Sequence, residues 1–153
     1  MDNTKICCGF GHREIYQNIT APLAQAIETA IVVYGITTFY TGGMGEFDAL
    51  FASAVRAAKV RHKQIKLVLV KPYFTKDLNT NREYYEVLFD DVFIPTEILG
   101  THYKNAIIKR NRFMVEQADL IICFLSRDYG GVYTAVRYAK KKNKPIINLG
   151  KET

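Results

Sequence analysis

The sequence Leu-Ile-Ile-Cys-Phe-Leu-Ser-Arg-Asp-Tyr-Gly-Gly-Val-Tyr-Thr, residues 120–134, decides the fold. Its apolar run 120–125 is typical of a strand buried on both faces of a parallel sheet. The pair Gly130-Gly131 then opens a helix-like pattern over residues 132–142. Glycine lets a ligand approach main-chain N–H groups, and the positive end of a helix dipole favours an anion. This turn therefore predicts a phosphate site.

A second glycine turn, Thr-Gly-Gly-Met-Gly-Glu-Phe-Asp at residues 41–48, repeats the arrangement earlier in the chain. It follows a predicted strand at 37–40 and opens an amphipathic helix at 46–61. The candidate ligand contacts in this turn are Gly42, Gly43 and Gly45. Glu46 and Asp48 either complement the helix dipole or act chemically, on a ribose hydroxyl or on a developing oxocarbenium ion. Two such turns in one small chain predict a nucleotide-like ligand.

The whole chain alternates strand and helix patterns, which predicts an α/β fold with helices on both faces of the sheet. We expect a single-domain Rossmann-like three-layer sandwich with a mostly parallel sheet, spanning residues 1–153. The expected strands are 5–10, 37–40, 65–70, 92–94, 120–125 and 145–149. The expected helices are 20–34, 46–61, 83–89, 105–117 and 132–142, and residues 96–104 are expected to form a loop.

Ligands of open α/β sheets bind beyond the carboxyl ends of the strands. The candidate loops are therefore 9–14, 41–48, 71–73, 94–103 and 126–134. In the first, Gly9-Phe10-Gly11-His12-Arg13-Glu14 begins like a dinucleotide fingerprint, but Glu14 replaces its third glycine, which disfavours a standard NAD site. Arg13 is either a phosphate clamp or a surface arginine on a tight turn. His12 is either a ligand donor or acid/base, or a hydrogen-bonded structural histidine.

Helix 105–117 carries a further candidate, Arg110. Arg110 and Met114 share one helix face while Arg112 points elsewhere, so one arginine enters the site and the other is solvated, or both are structural. Aromatic side chains in or near the candidate loops either stack on a base or pack at the rim. They are Tyr73, Tyr103, Tyr129 and Tyr133.

The net charge of +6 and the pI of about 9.2 favour anionic ligands. The basic run at 140–144 is interpreted as a solvated helix end, with nucleic-acid contact as the alternative. Cys7, Cys8 and Cys123 are odd in number and lie in apolar runs, which predicts buried free thiols in a reducing cytoplasm. We expect no secretory signal, no membrane span, no metal site and no cofactor.

Three segments resemble the C-terminal half of YpsA-like proteins of the SMF/DprA–LOG (SLOG) superfamily. They are Arg110-Asn111-Arg112-Phe113-Met114-Val115-x-x-Ala118-Asp119-Leu120-Ile121-Ile122, Gly130-Gly131-x-Tyr133-Thr134-Ala135-Val136-x-Tyr138-Ala139-x-Lys141, and Lys144-Pro145-Ile146-Ile147. The turn 41–48 is similar to the other glycine turn of the superfamily, which usually ends in an aspartate matching Asp48. The resemblance implies a Rossmann-like fold that binds a nucleotide, a nucleotide-sugar or a related ligand, commonly as a homo-oligomer.

The resemblance also brings two other functions into view. LOG-type members cleave N-glycosidic bonds with the motif Gly-Gly-x-Gly-Thr-x-x-Glu and an arginine on the preceding helix. Arg110 matches that arginine, and the motif is matched by Gly130, Gly131 and Thr134. Tyr133 replaces the third glycine and Arg137 replaces the glutamate, so an N-glycosidase or phosphoribohydrolase would depend on Glu46 or Asp48. DprA-like members bind single-stranded DNA, which is the third hypothesis.

Overall fold

The computed structural model describes residues 3–150, which form one six-stranded sheet flanked by helices. The strands are β1 (Ile6–Gly11), β2 (Thr38–Thr41), β3 (Lys66–Val70), β4 (Asp91–Phe93), β5 (Leu120–Phe124) and β6 (Ile146–Asn148). The helices are α1 (Thr20–Val32), α2 (Glu46–Lys59), α3 (Asp77–Thr80), α4 (Arg82–Leu88), α5 (Tyr103–Gln117) and α6 (Gly131–Lys141). A short 3-10 turn occupies Thr96–Ile98.

All neighbouring strands are parallel, in the order β4-β3-β2-β1-β5-β6. Helices α1 and α2 cover one face, while α5 and α6 pack together on the other. Successive strand residues point to opposite faces, so Cys7 lies in the core beneath α1 and α2, and Cys8 in the core beneath α5 and α6. The expected Rossmann-like three-layer α/β fold is confirmed, with a sheet that is wholly parallel.

The strand order diverges at β1, which pairs with β2 on one side and β5 on the other. The loops after β1 and β5 therefore leave the sheet in opposite directions and open a crevice at the carboxyl ends of these two strands. Both glycine turns identified from the sequence border this crevice, since Gly42 of the turn after β2 and Gly131 of the turn after β5 both line it.

Helix ends differ from the expected ones by one or two residues, and one short helix, α3, was not expected. Polar side chains account for the early start of α5 and for α3. Helix α5 begins at Tyr103, two residues early, because Nδ1 of His102 accepts the N–H of Lys104 and caps the first turn. Helix α3 was not expected within the polar stretch before residue 82. Its first carboxylate, Asp77, accepts hydrogen bonds from the hydroxyls of Thr75 and Tyr85.

All three cysteines are buried and unpaired, as expected. Within residues 3–150, none of the helices has both the length and the apolar character needed to span a bilayer.

Candidate functional site

A cleft of about 390 Å³ opens at the crevice between β1 and β5. Its walls come from the loop after β1, the glycine turn after β2, one face of α5 and the first residues of α6. Seven of the residues predicted from the sequence line it together: Gly9, His12, Arg13, Gly42, Asp48, Arg110 and Gly131.

Five other predicted residues lie beside the cleft and do not line it. Gly43 borders a smaller cavity near Tyr73, and Gly45 is packed against the main chain of Arg13. The carboxylate of Glu46 accepts the main-chain N–H of Ile15 at 3.1 Å. The remaining two, Gly130 and Thr134, are exposed at the start of α6, where the threonine hydroxyl donates to the glycine carbonyl.

The two glycine turns differ in whether the first N–H groups of the helix that follows have hydrogen-bond acceptors. At the start of α2, the N–H of Glu46 donates to the carbonyl of Arg13 at 2.8 Å, and the N–H of Phe47 donates to the carbonyl of His12. The N–H of Met44 donates to a carboxylate oxygen of Asp48 at 2.8 Å. The loop after β1 therefore occupies the N-terminus of α2, and a ligand anion has few donors left there.

The start of α6 is open by comparison. Within residues 3–150, the N–H groups of Gly131, Val132 and Tyr133 have no hydrogen-bond acceptor. Gly130 precedes them with φ of 97°, a left-handed conformation that glycine adopts readily and that turns the chain into the helix. Three adjacent unbonded donors at the positive end of an eleven-residue helix suit an anionic group.

His12, which lines the cleft, carries a further unbonded donor. Its Nε2 accepts the main-chain N–H of Ser126 at 3.1 Å, so in the neutral ring the proton is on Nδ1. Burial, with a smaller contribution from the positive charge of Arg127, lowers the pKa of His12, which keeps the ring neutral near pH 7. Nδ1 is buried without a hydrogen-bond partner in the described part of the chain, although such groups are nearly always paired.

Arg110 is buried beneath the cleft and is only 3% exposed. Its Nη1 donates to the carbonyls of Val70 at 2.8 Å and Gly42 at 3.2 Å, and its Nε donates to the side chain of Asn111. A Cβ at Gly42 would stand 2.9 Å from the guanidinium, so glycine is required for this close approach. Arg110 therefore links α5 to the ends of two strands as well as facing the cleft.

Asp48 is the buried carboxylate of the cleft. Desolvation raises its pKa from 3.8 to about 6, and the Met44 hydrogen bond and the charge of Arg110 only partly oppose that shift. Near pH 7 the group is therefore mostly ionised, but small changes in its surroundings would protonate it. A carboxyl with such a pKa can accept a hydroxyl proton or stabilise a developing positive charge.

Arg127 and Tyr16 are among the cleft residues that sequence reasoning did not single out. Arg127 is exposed on the loop after β5, and Tyr16 is exposed on the loop after β1. The guanidinium carbon of Arg127 lies 4.9 Å from the ring centre of Tyr129. No hydrogen bond within residues 3–150 engages the guanidinium of Arg127 or that of Arg13, so both cations can turn toward a ligand. The position of Arg127, directly after a buried strand, was the available signal. Tyr16 donates its hydroxyl to the carboxylate of Glu14 at the cleft rim.

The four aromatic residues proposed from the sequence do not line this cleft. Tyr73 borders the small cavity beside Gly43, Tyr103 is exposed at the start of α5, and the other two flank a surface pocket after β5. Among residues 3–150, no group of three histidine, cysteine or acidic side chains is arranged to hold a metal ion.

The fold is similar to those of several solved structures. DNA processing protein A (DprA) from Streptococcus pneumoniae matches with a TM-score of 0.62 and 14% identity, over 95% of this chain and 50% of that one. DprA from Helicobacter pylori, described with a single-stranded DNA binding mode, matches with a TM-score of 0.65 and 16% identity, over 94% and 64% of the two chains. The present chain thus spans about half to two thirds of these structures.

A third similar structure is the molybdenum cofactor binding protein from Rippkaea orientalis, with a TM-score of 0.59 and 19% identity, over 98% of this chain and 78% of that one. These likenesses establish a fold of the kind implied by the resemblance to the DprA–LOG superfamily. No protein-family model matches the sequence, and no curated protein matches it either.

Proposed function

We propose that this protein binds a nucleotide or a nucleotide-derived ligand in the cleft between β1 and β5. One observation carries the proposal: residues that line a single cleft carry unbonded donors, namely the N–H groups of Gly131 and Val132 at the start of α6 and the buried Nδ1–H of His12. The unpaired Nδ1–H of His12 is costly because it is buried, and the N–H groups at the start of α6 lie at the positive end of a helix dipole. A ligand that accepts hydrogen bonds from these donors is therefore favoured. Phosphate oxygens are the strongest acceptors that such a cleft could receive.

The ligand phosphate would accept from the N–H groups of residues 131–133, with Arg13 and Arg127 neutralising its charge. Arg110 would support the site from below, because its guanidinium is already bonded to two carbonyls. The ribose would lie along Gly42 with a hydroxyl donating to Asp48. Of the two acidic candidates, Asp48 is better suited, because it lines the cleft and Glu46 does not.

The first experiment is mass spectrometry of small molecules released from freshly purified protein, followed by calorimetric titration with nucleosides and their 5′-monophosphates. We expect a monophosphate to bind at least about tenfold more tightly than its nucleoside, because charge-assisted hydrogen bonds contribute roughly 1.5–3 kcal/mol. Arg127→Ala should reduce that difference. The matched control is Lys63→Ala, which removes an exposed cation between α2 and β3 at the opposite edge of the sheet.

Absence of any released nucleotide, together with equal affinity for nucleosides and monophosphates, would overturn the proposal. If Arg127→Ala and Lys63→Ala reduce the preference for the monophosphate equally, the effect is one of net charge, and Arg127 is not part of the site.

A second candidate function, hydrolysis of a nucleotide N-glycosidic bond, is favoured by Asp48. A buried carboxylate with a raised pKa beside a proposed ribose site could stabilise positive charge at C1′ while the bond to the base breaks. Water would then add its oxygen to C1′, and the base would leave with a proton. Residue 137 does not supply the carboxylate that LOG-type members use at the matching position, since Arg137 is exposed on α6 outside the cleft.

Chromatographic detection of free base during incubation with nucleoside monophosphates tests this candidate. Base release should rise with pH around a midpoint of about 6, where Asp48 ionises. Asp48→Asn should abolish release, while Glu46→Gln should retain it. Release that survives Asp48→Asn would rule out this mechanism, and binding without release would favour a carrier or a sensor.

A further inference from the structure

A second cavity, of about 780 Å³, lies between α5 and α6 on the same side of the sheet as the cleft. We call it the α5–α6 groove. It shares Ile107, Asn111 and Gly131 with the cleft, so the two cavities adjoin at the open start of α6. A ligand bound on the first N–H groups of α6 could therefore extend into the groove without crossing a wall.

The groove has a strongly positive lining. Four cations contribute to it, Arg112 from α5 and Arg137, Lys140 and Lys141 from α6. Among the described residues that line it, none is acidic. Glu116 accepts a hydrogen bond from the hydroxyl of Tyr138, but it does not border the cavity. Cations gathered along one cavity select an anionic ligand.

The groove also presents apolar and aromatic surface between its charges. Ile107 and Ile108 from α5 face Ala135 and Tyr138 from α6, and the ring of Tyr138 already lies under the guanidinium of Arg112 at 5.6 Å. Aromatic rings among cations are the surface on which nucleobases stack while their phosphates are neutralised. The lining therefore fits a unit that combines a base with a phosphate.

The length of α6 separates this surface from the first phosphate. Residues 131 and 141 are about 15 Å apart along the helix axis, at about 1.5 Å per residue. A single phosphate on the first N–H groups of α6 therefore leaves the far cations of the groove unused. The same length limits an extended ligand to a few nucleotide units.

We propose that the α5–α6 groove is a second subsite, which receives a further nucleotide unit of a ligand whose first phosphate is bound at the start of α6. The ligand class is then a dinucleotide or another nucleotide with a second anionic group and a base. This proposal rests on the proposed function, since it needs the first phosphate in the cleft.

Calorimetric dissociation constants test it, with four 5′-monophosphates, the four matching 5′-phosphorylated homodinucleotides and twelve-residue oligonucleotides as probes. For at least one base, the dinucleotide should bind about tenfold more tightly than the monophosphate, as expected for one added charge-assisted contact. The double variant Arg137→Ser/Lys141→Ser should remove this gain and leave monophosphate affinity unchanged. The control Lys63→Ser/Lys109→Ser removes two exposed cations outside the groove and should keep the gain.

Each other result overturns the second subsite in a recognisable way. The second subsite is contradicted if dinucleotides bind no more tightly than monophosphates, or if the control variant loses as much of the dinucleotide gain as the groove variant does. Both results leave the proposed function intact. Affinity that keeps rising up to twelve residues favours a single strand along the surface. Failure of every monophosphate to bind removes the first site and with it both proposals.

Discussion

The main-chain N–H of Ser126 donates a 3.1 Å hydrogen bond to Nε2 of His12. This bond joins the loop after β1 to the loop after β5, across the crevice where the strand order diverges. Because it consumes the lone pair of Nε2, the ring proton is held on Nδ1. One nitrogen of the ring thus serves the fold, and the other is an unpaired buried donor of a residue that lines the cleft.

Two conservative substitutions should separate these roles of His12. Glutamine can reach the Nε2 position and accept from Ser126, whereas asparagine reaches only the Nδ1 position and can donate there. We expect His12→Gln to keep the free energy of unfolding and to weaken nucleotide binding about tenfold. His12→Asn should retain binding and lose about 1 kcal/mol of stability. Urea unfolding and calorimetry measure both quantities, and losses of binding that simply follow stability would contradict the assignment.

Arg110 should act mainly on stability. Arg110→Ala leaves the carbonyls of Val70 and Gly42 without their donor and should lower the free energy of unfolding by roughly 2–4 kcal/mol. Arg110→Lys should recover only part of this, since an ammonium lacks the planar fork of donors. The control Arg112→Ala, on the exposed face of the same helix, should change stability by less than about 0.5 kcal/mol.

A change in ligand selectivity would contradict this mainly structural role of Arg110. If Arg110→Ala unfolds like the native protein and selectively loses phosphorylated ligands, the guanidinium contacts the phosphate directly. Equal weakening of nucleosides and nucleotides, together with lower stability, would support the structural role.

The elements of the fold could be predicted because their patterns are local. The apolar run of β5, in which every residue is buried, is typical of a strand between two helix layers. The apolar stripe from Phe47 to Ala58 is typical of the buried face of one helix. The parallel order also follows from alternation, since each strand pair needs a helical crossover. Helix α3 was not predicted because the carboxylate of its first residue accepts a hydrogen bond from a tyrosine eight residues further along the chain.

The detail of the site was less accessible, because it depends on contacts between distant segments. Glu46 and Asp48 are equivalent in the sequence, yet Glu46 is engaged by Ile15 while Asp48 is buried in the cleft. The lysines after residue 139 look like a solvated helix end until α5 brings Arg112 beside them. Neither contact leaves a periodic signal. The roles of these residues remain predictions.

The glycine pair at the start of α6 should respond unequally to alanine. Gly130 has φ of 97°, which strains any residue with a Cβ, so Gly130→Ala should cost about 1 kcal/mol of stability. A Cβ on Gly131 meets no atom within 4 Å, so Gly131→Ala should leave stability nearly unchanged. Its methyl group nevertheless enters the proposed phosphate site, and nucleotide affinity should fall while nucleoside affinity holds. Thermal unfolding and titration measure both effects, and unchanged nucleotide affinity in Gly131→Ala would show that the start of α6 binds no phosphate.

Asp48 should make stability depend on pH with a sign opposite to that of most acidic residues. Its pKa is raised from 3.8 to about 6, so the folded protein binds a proton that the unfolded chain releases. This stabilisation is present below pH 4 and is lost as the pH rises through 6, by roughly 3 kcal/mol in total. The lowered pKa of His12 acts in the opposite direction below pH 6.5.

The comparison of native protein with Asp48→Asn by urea unfolding from pH 4 to 8 isolates the effect of the Asp48 carboxyl, since both proteins keep the histidine. Relative to the native protein, the variant should gain stability as the pH rises, and parallel curves would show that Asp48 is not desolvated.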